Sequence, residues 1–449
     1  MHTRKAQFCK TAQLSRPAQE VFNWHERVGA IERMLSSLKE LRLLAHEGRR
    51  LTLQIRIGLS WEKWVLELHT SPETLSGKFV QIEGPFRDWS YTFALTAQDA
   101  RRCALVEQVE FSLPFPLSTA RFYKKVERYF RWRHKTLEDD LISYAKNPLP
   151  PLKILVSGST GLIGSALVPF LRAAGHHVVP LARSKKGVDP SSLTWHPESG
   201  ELEINSLEGF DLVIHLAGEN IAKRRWTKDQ KQRLFLSRTR DTWFLTQALL
   251  RLNSPPKTVI CASACGIYGD RGDELLTEES SPGQGFLADL CVKWEEAAST
   301  LEKRNIRLIQ SRFGPGLSSN GGFLEKMLPF FRLGLGGKLG SGKQLIPWVA
   351  LDDMVGALYH LIAHQEIKGA VNICSPEPVT QEVFAKTLAQ LLHRPAFFHI
   401  PSFLVRLAFG ELADALLLSS QNARPKKLLE SKYEFRYQKL KDALETIII

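Results

Sequence analysis

No uncharged run in this sequence approaches the roughly 20 residues needed to cross a bilayer, and the opening stretch MHTRKAQFCKTAQ holds no apolar signal core. A membrane span and a secretory leader are therefore not expected, and a cytoplasmic location is. Cysteine is sparse and unpatterned: Cys9, Cys103, Cys261, Cys265, Cys291 and Cys374 form no CxxC pair and accompany no clustered histidines. That spacing supports neither a zinc site nor a disulfide framework, so no metal is expected and the cysteines read as reduced core thiols. The glycine-rich run from Gly334 to Gln344 (GLGGKLGSGKQ) lacks a GKS or GKT ending, which excludes a nucleoside-triphosphate P-loop. It is too rich in glycine for a helix or strand, and reads either as a lid or substrate loop beside Trp348 and Asp352 or as an irregular connection.

A helix-turn-helix signature and an aromatic RNA-binding motif are also missing, so the formal charge of +13 does not by itself point to nucleic acid. The cations are spread along the chain. Their one dense run, RFYKKVERYFRWRHK from Arg121 to Lys135, keeps Phe122, Val126, Phe130, Leu137 and Leu141 at helical spacing. It reads as an amphipathic helix with a basic solvated face.

With 449 residues, 43% hydrophobic and 24% charged, the chain has the composition of a soluble globular protein of two or three domains. Its organising stretch is Lys153 to Ser184, KILVSGSTGLIGSALVPFLRAAGHHVVPLARS. Ile154, Leu155 and Val156 suit a buried parallel strand, and glycines follow at once. Gly158 permits the tight turn, Gly161 lets backbone N–H groups approach a pyrophosphate, and Gly164 lets the next helix pack closely. Leu162, Ile163, Ala166, Leu167, Phe170 and Leu171 recur at helical spacing, Gly175 is placed as a helix C′ residue, and Val178, Val179 and Leu181 form a second strand. Strand, glycines, helix and strand in this order read as a dinucleotide-binding unit. At the end of the second strand, where an NAD site usually carries an acid for the ribose 2′-OH, stand Arg183 and Ser184, which suit a 2′-phosphate. NADP(H) is the expected cofactor, held by Gly158, Ser159, Thr160, Gly161, Leu162, Ile163, Arg183 and Ser184. Phe210 to Leu216 forms another buried strand, and the loop that leaves it adds Leu216, Ala217 and Gly218 at the carboxyl end of the sheet.

Residues 1 to 147 lack this glycine punctuation and read as a strand, short helices, several strands and a long terminal helix. Leu51–Ile57, Trp64–His69, Gly77–Ile82 and Val106–Leu113 have strand patterning. PAQEVFNW (Pro17 to Trp24), GPFRDWSYTF (Gly84 to Phe93), VEFSLPFPL (Val109 to Leu117) and YFRWRHKTLEDDL (Tyr129 to Leu141) make this segment resemble the helix-grip fold of the polyketide-cyclase and START-like family. The resemblance implies an antiparallel sheet curled around the long helix, enclosing an apolar ligand cavity or a filled core. The proline-rich joint at Asn147–Pro151 closes the segment.

The motifs GSTGLIG, HLAGENIAKRRWTKDQK, SRTRDT, ASACGIYGDRGDE, LTEES, GFLADLCVKWEEAA, SRFGPGLSSNGGFLEKMLPFF and LGSGKQLIPWVALDD stand in this order between Gly158 and Asp353. They resemble the atypical, epimerase-type branch of the short-chain dehydrogenase/reductases. The tail from Arg394 to Leu444 is similar to the small C-terminal helical domain of that branch. The resemblance implies a Rossmann-type α/β fold, preceded by an α+β helix-grip domain and followed by a mostly helical one, with divisions at 1–147, 152–392 and 393–449. In ordinary members a Ser or Thr with the Tyr and Lys of YxxxK moves the proton. Here the corresponding positions hold Ala264, next to Ser263, then Phe286 and Leu290, and neither of the last two can transfer a proton. Tyr268 is the best remaining phenol, with Ser263 as its nearest hydroxyl; the alternative for Tyr268 is a structural ring packed beside its loop. Arg225, Trp226 and Lys231 follow the AGEN loop (Ala217 to Asn220), either holding an anionic substrate group or simply starting a solvated helix. Two functions fit: an NADP(H)-dependent oxidoreductase or epimerase for a small or apolar substrate, and a non-catalytic NADP(H)-sensing protein that holds an apolar ligand.

Overall fold

Residues alternate between the two faces of the N-terminal strands, and this alternation builds the first of two compact units, formed chiefly by the chain up to Leu149. Along Cys103–Ser112, for example, Cys103, Leu105 and Glu107 are buried while Ala104, Val106 and Gln108 are half-buried. The structure is a computed structural model that describes residues 5–35, 38, 40–112, 119–183 and 191–448.

The first unit comprises β1 (Lys5–Leu14), α1 (Ala18–Glu26), α2 (Val28–Leu35), β2 (Leu41–Glu47), β3 (Arg50–Ile57), β4 (Ser60–Ser71), β5 (Ser76–Glu83), β6 (Trp89–Ala97), β7 (Cys103–Ser112) and α3 (Thr119–Lys146). Its seven strands form one antiparallel sheet in the order β1-β7-β6-β5-β4-β3-β2. β1 closes onto β7 with Lys5 opposite Ser112 and Leu14 opposite Cys103. The dense basic run lies on α3. Its Phe130, Leu137 and Leu141 are buried and share a core with Phe22, Trp24, Leu53, Phe79 and Phe93, while Val126 packs at the edge of that core. The side chain of Phe122 and residues 113–117 of the VEFSLPFPL motif lie outside the described residues.

That core also contains charge. Glu107 has no exposed surface and pairs with Arg133 Nη2 at 2.6 Å, while the Tyr91 hydroxyl and His134 Nε2 complete its hydrogen bonds. Burial pushes the Glu107 carboxyl up, but the Arg133 charge and these hydrogen bonds outweigh it and hold the carboxyl at about 2. A second buried pair joins Arg33 to Asp140, with contacts of 2.8 and 3.2 Å.

The second unit, chiefly Pro150 to Ile448, is an α/β sheet. Its sheet strands are β8 (Lys153–Ser157), β9 (His177–Ala182), β10 (Leu193–His196), β11 (Glu201–Leu202), β12 (Leu212–His215), β13 (Thr258–Ala264), β14 (Arg307–Phe313) and β15 (Gly369–Ile373). They lie in the order β11-β10-β9-β8-β12-β13-β14-β15, parallel except for the β10–β11 pair. β8, β12 and β13 are almost wholly buried, as runs such as Ile154–Leu155–Val156 require when helices cover both faces. The helices are α4 (Leu162–Ala173), α5 (Lys228–Leu236), α6 (Thr239–Leu250), α7 (Phe286–Ala298), α8 (Gly322–Arg332), α9 (Leu351–Ala363), α10 (Gln381–Leu391), α11 (Ser402–Phe409), α12 (Lys426–Glu430) and α13 (Leu440–Ile447). Successive strands leave β8 in opposite directions, to β9 on one side and β12 on the other, so a crevice opens at their carboxyl ends.

The glycine-rich run departs from expectation. Gly337–Leu339 forms a short strand parallel to Phe398–Ile400. Gln344 pins the end of the run, donating from Nε2 to the carbonyls of Leu339 at 3.1 Å and Leu417 at 3.0 Å. Neighbouring Trp348 is fully buried and donates to the Glu377 carbonyl at 3.0 Å. A partner strand from a distant segment offsets glycine's conformational freedom.

Candidate functional site

The turn after β8 carries its glycines for three separate physical reasons. Gly158 has φ +72, and a Cβ there would lie 2.7 Å from Ala217 N, so the turn is left-handed and pressed against the loop that leaves β12. At Gly161 a Cβ would meet only the Gly158 carbonyl, at 3.2 Å, which leaves the outer side of the turn open. At Gly164 it would meet that carbonyl at 2.2 Å, so α4 packs directly on the turn. Ser159, Leu162 and Ile163 are half-buried around it, and Thr160 and Gly161 are exposed. At the far end of α4, Gly175 has φ +99 and His176 N–H donates to the Leu171 carbonyl at 3.1 Å, a Schellman ending.

Leu216 N–H donates to the Ser157 carbonyl at 3.1 Å and carries the chain across the crevice to Ala217 and Gly218. Sequence reading did not single out the residue that braces this loop, Arg238 of the SRTRDT motif. Its guanidinium is buried beside Gly218, donates to the carbonyls of Glu219 at 3.0 Å and Leu234 at 3.3 Å, and stacks 4.9 Å from the Trp294 ring centroid. Desolvation lowers its pKa, as for a cation buried with neutral partners. The available signal was an arginine in a motif between two helices, without any indication of burial.

Arg183 follows β9, is exposed, and forms a long ion pair with Glu198, at 3.7 Å. Nearby, Arg240 Nη2 pairs with Asp241 at 2.9 Å; burial raises the Asp241 pKa against the pull first of Arg240 and then of Arg183. Two arginines thus share this edge of the crevice. Ser184 lies outside the described residues.

The two hydroxyl candidates belong to one buried chain of contacts. Tyr268 has no exposed surface; its hydroxyl donates to Asn372 Oδ1 at 2.7 Å and accepts from Arg312 Nη1 at 3.0 Å. Arg312 grips both oxygens of Glu295 at 2.8 Å, and Ser263 Oγ donates to Glu295 Oε1 at 2.7 Å. Burial pushes the Tyr268 phenol well up, against the opposing pull of Arg312. The placement is thus that of a ring packed beside its loop with its hydroxyl engaged on both sides. Glu278 of the LTEES motif extends the chain, accepting from Asn372 N at 3.0 Å and Lys427 N at 3.3 Å. Burial raises its pKa.

Of the two residues expected at the Tyr and Lys positions, Leu290 is core, and Phe286 packs edge-on against Trp226 with centroids 5.2 Å apart. Lys231 Nζ lies 4.9 Å from the Phe286 ring centroid and pairs with Glu411 at 2.6 Å. Arg225 donates to the Leu407 carbonyl at 3.1 Å. The cations after the AGEN loop therefore anchor the segment around α11. Among the described residues, no group of three or more His, Cys, Asp or Glu is arranged to hold a metal ion, and no helix is long and apolar enough to cross a membrane.

Known proteins match the chain across these elements. A model described as the NAD dependent epimerase/dehydratase family matches residues 154–374. One described as polyketide cyclase / dehydrase and lipid transport matches 14–131, and a domain of unknown function matches 400–447. The chain is 41% identical over 291 residues to the epimerase family protein Mb2239 of Mycobacterium bovis, covering 65% of this chain and 96% of that one. It is 35% identical over 300 residues to the human epimerase family protein SDR39U1, covering 66% and 100%. A crystal structure described as the nucleoside-diphosphate sugar epimerase from Corynebacterium glutamicum superposes with TM-score 0.80 at 27% identity, over 98% of this chain and 90% of that one. The human SDR39U1 isoform 2 structure with NADPH gives TM-score 0.62 at 34% identity, over 66% and 99%. By this identity and coverage, the chain belongs to the NAD-dependent epimerase/dehydratase family, with a polyketide cyclase/lipid transport domain at its N-terminus and the domain of unknown function at its C-terminus.

Proposed function

We propose that the protein is an NADP(H)-dependent oxidoreductase or epimerase that acts on a small or apolar substrate in the cytoplasm, with its work divided among domains at 1–147, 152–392 and 393–449. The observation that carries the reading is the glycine turn, left-handed at Gly158 and open on its outer side at Gly161. Backbone N–H groups of Ser159, Thr160, Leu162 and Ile163 at the α4 N-terminus would hold the pyrophosphate across Gly161, whose own N–H donates to the Gly158 carbonyl at 3.0 Å, with Leu216, Ala217 and Gly218 as the facing wall. Arg183, with Ser184, would take the 2′-phosphate; its exposed pair with Glu198 is weak enough to yield to a dianion. The NADPH in the human SDR39U1 structure supports this choice. When bound, the nicotinamide supplies hydride transfer. Tyr268 and Ser263 are the proposed proton-handling hydroxyls, and their placement adds a requirement: a substrate oxygen must displace Asn372 or Arg312 from the phenol.

The test is titration of NADPH and NADH into wild type, Arg183→Ala and Gly161→Asp. Wild type should prefer NADPH by roughly 1.5 to 3 kcal/mol. Arg183→Ala should lose that preference and Gly161→Asp should bind neither. Equal wild-type affinities would remove the 2′-phosphate assignment, and retained affinity in Gly161→Asp would remove the site. Nucleoside-diphosphate sugars, the class named for the Corynebacterium glutamicum structure, head the substrate screen.

A second reading, a non-catalytic NADP(H) sensor with an apolar ligand in its N-terminal domain, is favoured by Phe286 and Leu290 and by the closed contacts of Tyr268. NADPH binding without turnover across the screen would select it.

A further inference from the structure

Among the described residues, nine of the nineteen large apolar side chains left exposed fall on two adjoining stretches of the second unit. The first is the end of α8 and the turn after it, where Phe330, Leu333 and Leu335 face outward. The second runs from Phe397 and Phe398 into α11. In α11 only Val405 is buried, while Phe403, Leu404, Leu407 and Phe409 are exposed. Phe397 is 88% exposed and Leu407 70%. The stretches are neighbours in space: Gly337 pairs with Phe398, and Arg394 Nε donates to the Arg332 carbonyl at 2.9 Å. A helix apolar on nearly every side belongs in a core or at a lipid boundary, and a single-copy soluble surface rarely gathers so many exposed apolar side chains.

Charge identifies the occupant. From Lys326 to Gln344 and from Leu388 to Gly410 there is no Asp or Glu, while Lys326, Arg332, Lys343, Arg394 and Arg406 are exposed there. Among the described residues, Arg406 alone of these pairs with an acid, Asp414 at 2.9 Å, and that pair is on the surface. Two copies of this chain apposed here by a twofold axis would set the same cations against each other. A surface that is both apolar and phosphate-rich satisfies both features.

We propose that this face docks on an anionic lipid bilayer, with the aromatic and leucine side chains entering the headgroup and acyl boundary and the cations meeting lipid phosphates. The docking depends neither on catalysis nor on the cofactor. The test is co-sedimentation of the full chain with phosphatidylcholine vesicles, with and without phosphatidylglycerol, at low and high salt. Binding should require phosphatidylglycerol and weaken with salt. The double variant Phe397→Ser/Leu407→Ser removes no buried contact, so it should keep its circular dichroism spectrum and NADPH titration while binding vesicles at least about tenfold more weakly. Absence of binding, equal binding to both vesicle types, or full binding by the double variant would overturn the proposal. A wild-type dimer that the double variant converts to monomer would also overturn it and assign the face to a second copy.

Discussion

Each unit buries an arginine between a carboxylate and a tyrosine, yet the two arrangements do different mechanical work. In the first unit Arg133, Glu107, Tyr91 and His134 lie on β6, β7 and α3, inside one apolar core, and Glu107 is wholly enclosed. In the second unit Arg312, Glu295, Tyr268, Ser263 and Asn372 reach from β13 and its following turn through α7 and β14 to β15. The first ties a sheet to its own helix. The second ties the carboxyl ends of three strands to the helix that carries Phe286 and Leu290. The contrast shows that the same chemical trio can lock a domain interior or brace the carboxyl edge of a parallel sheet, depending on how many elements it joins.

Removing one partner should separate the two most strongly. Arg133→Leu strands Glu107 in the core, and the expected cost is about 3–5 kcal/mol of first-unit stability, measured by chemical denaturation followed through its tryptophans. Arg312→Leu should cost less, because Glu295 keeps Ser263 and some exposure to water. Equal costs would erase the distinction.

Acid should sharpen the comparison next. Burial, followed by the Arg133 charge, holds His25 at about 4, and burial alone holds His215 at about 4. Below pH 6.5 the unfolded chain takes protons that these folded rings refuse until about pH 4. Stability is therefore full above that window and falls through it, by up to about 3 kcal/mol for each ring. His25 Nε2 has no hydrogen-bond partner among the described residues, whereas His215 bonds Ser157 at 2.6 Å and Thr242 at 3.0 Å. His25→Leu should flatten the pH dependence of the first unit alone in thermal melts at pH 4.5 and 7; an unchanged slope would show that His25 does not titrate there.

The smallest expected effect concerns the phenols. Tyr91→Phe and Tyr268→Phe should each cost about 1–3 kcal/mol for the buried groups left unpaired. Only Tyr268→Phe should also cut turnover, by roughly a hundredfold, with NADPH affinity kept. Unchanged turnover on a substrate that wild type converts would confine Tyr268 to bracing.

Much of the fold was legible because its signals are local. Apolar runs and glycine spacing marked β8, α4 and β9, and alternation marked β3, β4, β5 and β7, with ends shifted by a few residues. The short strand at Gly337–Leu339 was missed because its partner, Phe398–Ile400, lies far along the chain. Arg238 was missed because nothing local to an arginine reports that its guanidinium is desolvated.

By itself the sequence determined the glycine turn between β8 and α4, since a left-handed turn, an open backbone edge and a close helix contact each demand glycine at a fixed spacing. It also determined family membership, which is a matter of residue identity. Tertiary structure alone decided the partners of Tyr268, whose acceptor Asn372 is 104 residues away, and the outward turn of the apolar α11 face. Hydrogen-bond partners and exposure depend on which distant elements meet, and local periodicity carries no record of that.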